Sequence, residues 1–284
     1  MRVIESICEM REVCQSARRP LGLAPTMGYL HDGHRSLVKR ARDENATVAV
    51  SIFVNPTQFG PREDYSTYPQ DMDRDLSLLE GENVDVVFAP RAEEMYPGGL
   101  ERWRTWVEVM GMTERLEGEF RPGHFRGVGT VVAKLLNIVR PDRAYFGRKD
   151  AQQLAVIRRV ARDLDLGADI VACPTVRERD GLAMSSRNVF LTPEERRAAP
   201  VIYYSLRKAQ EMHRQGERDG ERLRSAVCRE LEGEPLIKAV DYVSVADPGT
   251  MEEVSTVEGP SLLLAAVRMG RVRLIDNVEL GGLT

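Results

Sequence analysis

Short apolar runs, three of them rich in valine and isoleucine, recur at residues 21–25, 47–54, 84–89, 143–146 and 169–173, and segments of helical period separate them. In residues 127–139, Val128, Val131, Val132, Leu135, Leu136 and Val139 fall on one stripe. Residues 150–164 repeat the pattern with Leu154, Ile157, Val160 and Leu164. Residues 34–44 and the acidic 71–79 complete the alternation. Near-continuous apolar strands between amphipathic helices predict a parallel sheet covered on both faces. That is an α/β, Rossmann-like architecture, and it directs any ligand to the carboxyl ends of the strands.

The pattern changes after Pro174. Thr192-Pro193-Glu194-Glu195 is a strong helix start, with Thr as cap, Pro at the first helical position and Glu at the third. A helix to about residue 215 should follow, then another over 221–231. Residues 238–245 and 261–267 read as strands. Residues 270–275 read as a hairpin partner of the latter through Arg268-Met269-Gly270. We therefore expect a first domain over 1–174 and a smaller α+β domain over 175–284.

The densest chemistry is Met27-Gly28-Tyr29-Leu30-His31-Asp32-Gly33-His34, set between the first long strand and a helix. A helix N-terminus carries free N–H groups and partial positive charge, so it suits an anion. His31 and His34 can donate to a nucleotide phosphate, while Gly28 and Gly33 admit close backbone approach. A structural zinc would need a third ligand. The only other histidines are His124 and His213, and the four cysteines show no Cys-x-x-Cys spacing.

Three further segments carry donors. Gln58, in Asn55-Pro56-Thr57-Gln58-Phe59, can orient a carboxylate or hydroxyl. Phe146-Gly147-Arg148-Lys149-Asp150 ends a strand; Lys149 reaches as a point charge, Asp150 can cap the following helix, and Gln153 lies one turn on. Val176 opens a loop ending in Met184-Ser185-Ser186-Arg187, a candidate triphosphate clamp. His124 reads as structural, in a loop entering the helix after Gly127. Cys8 and Cys14, on an expected first helix, read as core packing.

Bulk properties narrow the class. The chain has 284 residues and net charge −4, so no strongly basic face is implied and binding to nucleic acid by charge is disfavoured. The N-terminus lacks a signal-peptide core, and no apolar run approaches the ~20 residues a membrane span needs. The scattered cysteines suit a reducing compartment. We expect a cytoplasmic protein without membrane or nucleic-acid partners.

Taken together, these segments resemble the pantothenate synthetase (pantoate–β-alanine ligase) family, essentially end to end. The resemblance is carried by residues 25–34, 53–59, Arg121-Pro122-Gly123-His124-Phe125-Arg126-Gly127-Val128, residues 145–150 and residues 180–188. His-x-Gly-His alone would indicate only the wider nucleotidyltransferase superfamily. The resemblance implies an ATP- and pantoate-binding first domain, a C-terminal lid and a homodimer. Its implied ligands are ATP, Mg²⁺, (R)-pantoate and β-alanine. It puts ATP on Met27, Gly28, Tyr29, Leu30, His31, Asp32, Gly33 and His34, on Gly147, Arg148, Lys149 and Asp150, and on Val176, Met184, Ser185, Ser186 and Arg187. His34 matches a proton donor, Gln58 a contact to pantoate and β-alanine, and Gln153 a contact to pantoate. His31, Lys149, Ser185, Ser186 and Arg187 are the further donors expected to meet charge at phosphorus. Arg148 is one departure, since many relatives carry Glu there. A nucleotidyltransferase that forms no amide, and a nucleotide-binding module without turnover, are the competing readings.

Overall fold

The computed structural model describes residues 1–60 and 65–282. The chain divides into two compact units: Met1–Arg148 with Val156–Pro174, and Lys149–Ala155 with Thr175–Thr284. The first unit contains β1 (Arg2–Ile4), α1 (Ile7–Ser16), β2 (Leu21–Thr26), α2 (Asp32–Glu44) and β3 (Thr47–Ile52). It continues with α3 (Met72–Gly81), β4 (Val86–Phe88), α4 (Ala92–Met95), α5 (Glu117–Phe120), α6 (His124–Val139), β5 (Arg143–Gly147) and β6 (Asp169–Cys173). Helix α7 (Ala151–Asp163) begins in the second unit and ends in the first.

All pairings in the first sheet are parallel, and its order is β1-β4-β3-β2-β5-β6. Every residue of β3 is buried, as a strand covered on both faces requires. Leu37, Val38 and Ala41 of α2 and Leu79 of α3 form one core with Ala24, Val48, Val50 and Val87. The chain winds from β2 through β3 to β4 on one side and adds β5 and β6 on the other. The direction therefore switches between β2 and β5, which pair directly at Gly22 with Arg143 and Leu23 with Ala144. Such a switch point opens a crevice beyond the strand ends.

The second unit holds α8 (Pro193–Ala198), α9 (Val201–Arg214), α10 (Gly220–Glu232) and the antiparallel strands β7 (Ile237–Ala246), β8 (Ser261–Met269) and β9 (Val272–Leu280). Ile202, Leu206 and Ala209 of α9, with Leu223, Val227 and Leu231 of α10, pack on Leu263, Ala265 and Val267 of β8 and Leu274 and Val278 of β9.

Four sequence expectations need correction. The helix expected from Thr192 to about residue 215 is two helices. Pro200 has no N–H to continue the ladder, so α8 ends before it and α9 starts after it. The last hairpin turns at Gly270-Arg271, because Met269 is already paired with Val272. Helix α6 starts at His124, three residues before Gly127, with Gly123 as its cap. Cys14 is buried but Cys8 is exposed, since a six-residue offset on a helix puts two side chains about 120° apart.

Candidate active site

The segment after β2 is a loop whose backbone donors are already committed. The Thr26 hydroxyl accepts from Gly28 N at 3.2 Å and itself donates to the Ser51 carbonyl at 2.8 Å. The Asp75 carboxylate of α3 accepts from Tyr29 N at 2.6 Å and Leu30 N at 2.7 Å. Asp75 is only 1% exposed. Burial raises its pKa above the ordinary carboxylate value, against the opposing pull of those two amides and of Arg74. Gly28 has φ +85°, and a Cβ there would lie 3.2 Å from Asp75 Oδ2 and 3.1 Å from Ile52, so the close approach needs glycine. Tyr29 follows in the left-handed region at φ +51°. Three successive amides thus face inward. The amides of Gly28, Tyr29 and Leu30 are thus taken up within the protein.

The histidines cap their own helix. His31 is the N-cap of α2, and its Nδ1 accepts from Gly33 N at 3.1 Å. His34 Nδ1 accepts from His31 N at 3.4 Å. This reciprocal pairing starts α2 at Asp32, two residues earlier than the apolar period indicates, and puts Gly33 in the first helical turn. An Nδ1 that accepts a backbone N–H leaves the hydrogen of the neutral ring on Nε2. Both imidazoles therefore carry their hydrogen on Nε2, with ring centroids 4.1 Å apart.

The segment after β3 is a tight turn, Pro56–Gln58, capped by Asn55. Asn55 Oδ1 accepts from the Tyr96 hydroxyl at 2.7 Å and the Thr57 hydroxyl at 2.9 Å, and Asn55 Nδ2 donates to Gln58 Oε1 at 3.1 Å. Burial pushes the Tyr96 phenol up to about 12, so it remains a donor to Asn55. The Gln58 amide reaches Met27 Sδ at 2.9 Å, which joins the turns after β2 and β3. Helix α6 supports this turn: His124 Nδ1 lies 2.8 Å from the Gln58 carbonyl, and Asn55 Nδ2 donates to the Gly127 carbonyl at 3.2 Å. A Cβ on Gly127 would lie 2.7 Å from Gln58 N, so only glycine lets the helix come this close.

Beyond β5, Arg148–Asp150 form a 3-10 turn, and the half-buried Lys149 holds its Nζ 3.5 Å from Asp150 Oδ1. Gln153 follows, half-buried, in the first turn of α7. In the second unit, residues 176–184 fold back on themselves. Met184 N donates to the Val176 carbonyl at 3.0 Å, and Arg177 and Ala183 form a bridge. Ser185 caps the next turn, its Oγ accepting from Arg187 N at 3.2 Å, and Ser186 is buried.

Sequence reasoning passes over Asp75, Asp276 and Asn277. A signal exists for the aspartates. Asp75 lies four residues before Leu79 on the buried face of α3, and Asp276 lies between Leu274 and Val278 on the inward row of β9. A carboxylate on an apolar row needs partners, and those partners turn out to be site loops.

Comparisons with known proteins identify the family and the fold. A family model described as pantoate-beta-alanine ligase matches residues 2–279. A pantothenate synthetase from Roseiflexus sp. strain RS-1 is 57% identical over 280 residues, covering 99% of each chain. One from Thermotoga petrophila is 52% identical over 284 residues, covering 99% of this chain and 100% of its own. The crystal structure of pantothenate synthetase from Thermus thermophilus superposes with a TM-score of 0.94 at 47% identity, covering 99% of this chain and 100% of that one. The pantoate-beta-alanine ligase of Francisella tularensis, solved with beta-gamma ATP and β-alanine, gives a TM-score of 0.79 at 35% identity over 98% and 97% of the two chains. With a family model matched over residues 2–279, relatives more than half identical over nearly the whole chain and a closely superposing fold, the chain belongs to the pantoate–β-alanine ligase family.

Proposed function

We propose that this chain condenses (R)-pantoate with β-alanine in two steps driven by ATP. A pantoate carboxylate oxygen attacks the α-phosphorus, and the bond to pyrophosphate breaks. The product is pantoyl adenylate. The free amine of β-alanine then attacks the acyl carbon, the C–O bond breaks, AMP leaves, and the amine proton passes to solvent. Activation is needed because a free carboxylate is a poor electrophile, whereas AMP is a good leaving group.

The observation that carries the reading is the paired cap of His31 and His34. It fixes two imidazoles, each with its hydrogen on Nε2, at the end of β2 beside the switch point of the sheet. In the first step negative charge builds on the phosphate oxygens, and fixed donors stabilise it without reorganising. We assign this work to His31, His34, Lys149, Ser185, Ser186 and Arg187, with His34 as proton donor. ATP is assigned further contacts at Met27, Gly28, Tyr29, Leu30, Asp32 and Gly33, at Gly147, Arg148 and Asp150, and at Val176 and Met184. Because the amides of Gly28, Tyr29 and Leu30 already have acceptors, those three residues contribute carbonyls and shape. Gln58 is assigned to pantoate and β-alanine, and Gln153 to pantoate. The second unit is assigned the role of a lid that keeps water from the adenylate.

Among the described residues, no three His, Cys, Asp or Glu side chains converge as a protein metal cage would need. A Mg²⁺ ion held on the phosphates of ATP fits that donor set, because Mg²⁺ keeps several waters and takes phosphate oxygens readily. Bound there it would neutralise phosphate charge. Also among the described residues, no helix is long and apolar enough to cross a membrane. We place the enzyme in the cytoplasm as a homodimer, the state that light scattering would measure.

The test is AMP release from ATP and Mg²⁺ with (R)-pantoate and β-alanine, each omitted in turn. AMP that appears only when all are present supports the ligase reading. AMP release that ignores β-alanine favours nucleotidyl transfer without amide formation.

A further inference from the structure

Residues 272, 274, 276 and 278 of β9 form one buried row, three of them apolar and the fourth Asp276. Burying a carboxylate is costly unless it is paired. Asp276 is met by Arg177 in a two-pronged contact, Nη1 to Oδ2 at 2.6 Å and Nη2 to Oδ1 at 2.9 Å. Arg177 also donates to the Gly181 carbonyl at 3.1 Å, and its guanidinium lies 3.8 Å from the centre of the Tyr203 ring. The root of the 176–184 fold, which leads directly into Ser185, Ser186 and Arg187, is thereby fixed. The next strand residue, Asn277, faces the opposite side of the sheet. Its Nδ2 donates to the Lys149 carbonyl at 2.9 Å. Two consecutive residues therefore hold two segments that are far apart in sequence, one on each side of β9.

We propose that Asp276 and Asn277 are a positioning pair for adenylation, setting Lys149 and the Ser185–Arg187 segment from a single strand. The proposal rests on the reading that Lys149 and Arg187 act on ATP. Asn277 acts by fixing the peptide plane between Lys149 and Asp150, and with it the direction in which the lysine side chain leaves the chain. Asp276 acts by holding Arg177. Neither residue needs to touch substrate.

Crossed double-mutant cycles on the full-length enzyme, read by pantoate-dependent ATP–pyrophosphate exchange, test this. Circular dichroism first confirms that each variant is folded at the assay temperature. Asn277→Ala should lower the exchange rate about tenfold, the scale of one lost neutral hydrogen bond. It should have less than about a twofold effect in a Lys149→Ala background, and its full effect in an Arg187→Ala background. Asp276→Asn should show the reverse coupling. If Asp276→Asn fails to fold, the Asn277 cycle decides alone. Wild-type exchange in Asn277→Ala, or equal losses in both backgrounds, overturns the proposal. Wild-type exchange in Lys149→Ala itself removes the premise, and that failure is visible from the single variant.

Discussion

Replacing Asp75 by Ala should release the loop that carries the histidine pair. The carboxylate accepts two backbone N–H groups, at 2.6 Å from Tyr29 and 2.7 Å from Leu30. A hydrogen bond to a charged group contributes about 1.5–3 kcal/mol net. Leu30 is buried, so its amide loses its acceptor without gaining water; Tyr29 is half-buried, and water recovers part of its loss. Removing a desolvated carboxylate returns some free energy, because burial already raises its pKa. The net cost to the closed loop is about 2–4 kcal/mol. Asp75→Asn keeps one acceptor but turns an NH₂ toward the second amide, for about 1–2 kcal/mol. Native-state hydrogen exchange reads the two amides directly. Their protection should fall roughly 30-fold to 1000-fold in Asp75→Ala and about tenfold in Asp75→Asn. Tyr29 then loses what holds it at positive φ, and the His31 cap it leads into loses register, so ATP–pyrophosphate exchange should fall with the protection. Unchanged protection of Tyr29 and Leu30 in Asp75→Ala would refute the reasoning, whatever the activity.

Removing a donor assigned to the phosphates, by His34→Ala or Lys149→Ala, should lower pantoate-dependent exchange by about 10²–10³-fold; near-normal single-turnover adenylation would contradict the assignment. Gln58→Ala should raise KM for pantoate and β-alanine and leave KM for ATP unchanged; a change in ATP KM alone would misplace Gln58. Asp180 has a lowered pKa, chiefly because Arg196 donates to it at 2.5 and 3.3 Å. Its contribution to stability is present above the ordinary carboxylate pKa of about 3.9 and is lost as pH falls through the lowered folded value. In melting curves between about pH 2 and 6, the advantage of wild type over Asp180→Asn should therefore shrink on acidification, and a pH-independent gap would oppose this. The effect is small, since both side chains meet solvent.

Most of the architecture is readable because it rests on simple periods. The short apolar runs become β2 through β6, and the stripe from Val128 to Val139 becomes the buried face of α6. Strand β1 is hidden: it has three residues, and only Ile4 is buried, too short a run for any alternation to register. The break at Pro200 is masked because the apolar period resumes in α9 once the ladder restarts. Among the candidate site residues, the histidines and Gln58 stand out in the sequence by residue type and placement. Their supports do not, because support is a matter of distant pairing. Asp75 lies 46 residues from Tyr29, and Asn277 lies 128 residues from Lys149. No local spacing encodes either contact. The aspartates do leave a trace, a charged side chain at a position that the helix or strand period assigns to the core.

Pantoyl adenylate is the intermediate on which the proposed chemistry depends. Pantoate carrying ¹⁸O in both carboxylate oxygens, turned over with ATP and β-alanine, tests it most directly. An attacking carboxylate oxygen stays bonded to phosphorus when the amine displaces AMP, so the prediction is one ¹⁸O atom in each AMP released and none in pyrophosphate. AMP free of label would contradict it, because the acyl group would then never have been joined to the nucleotide through its own oxygen.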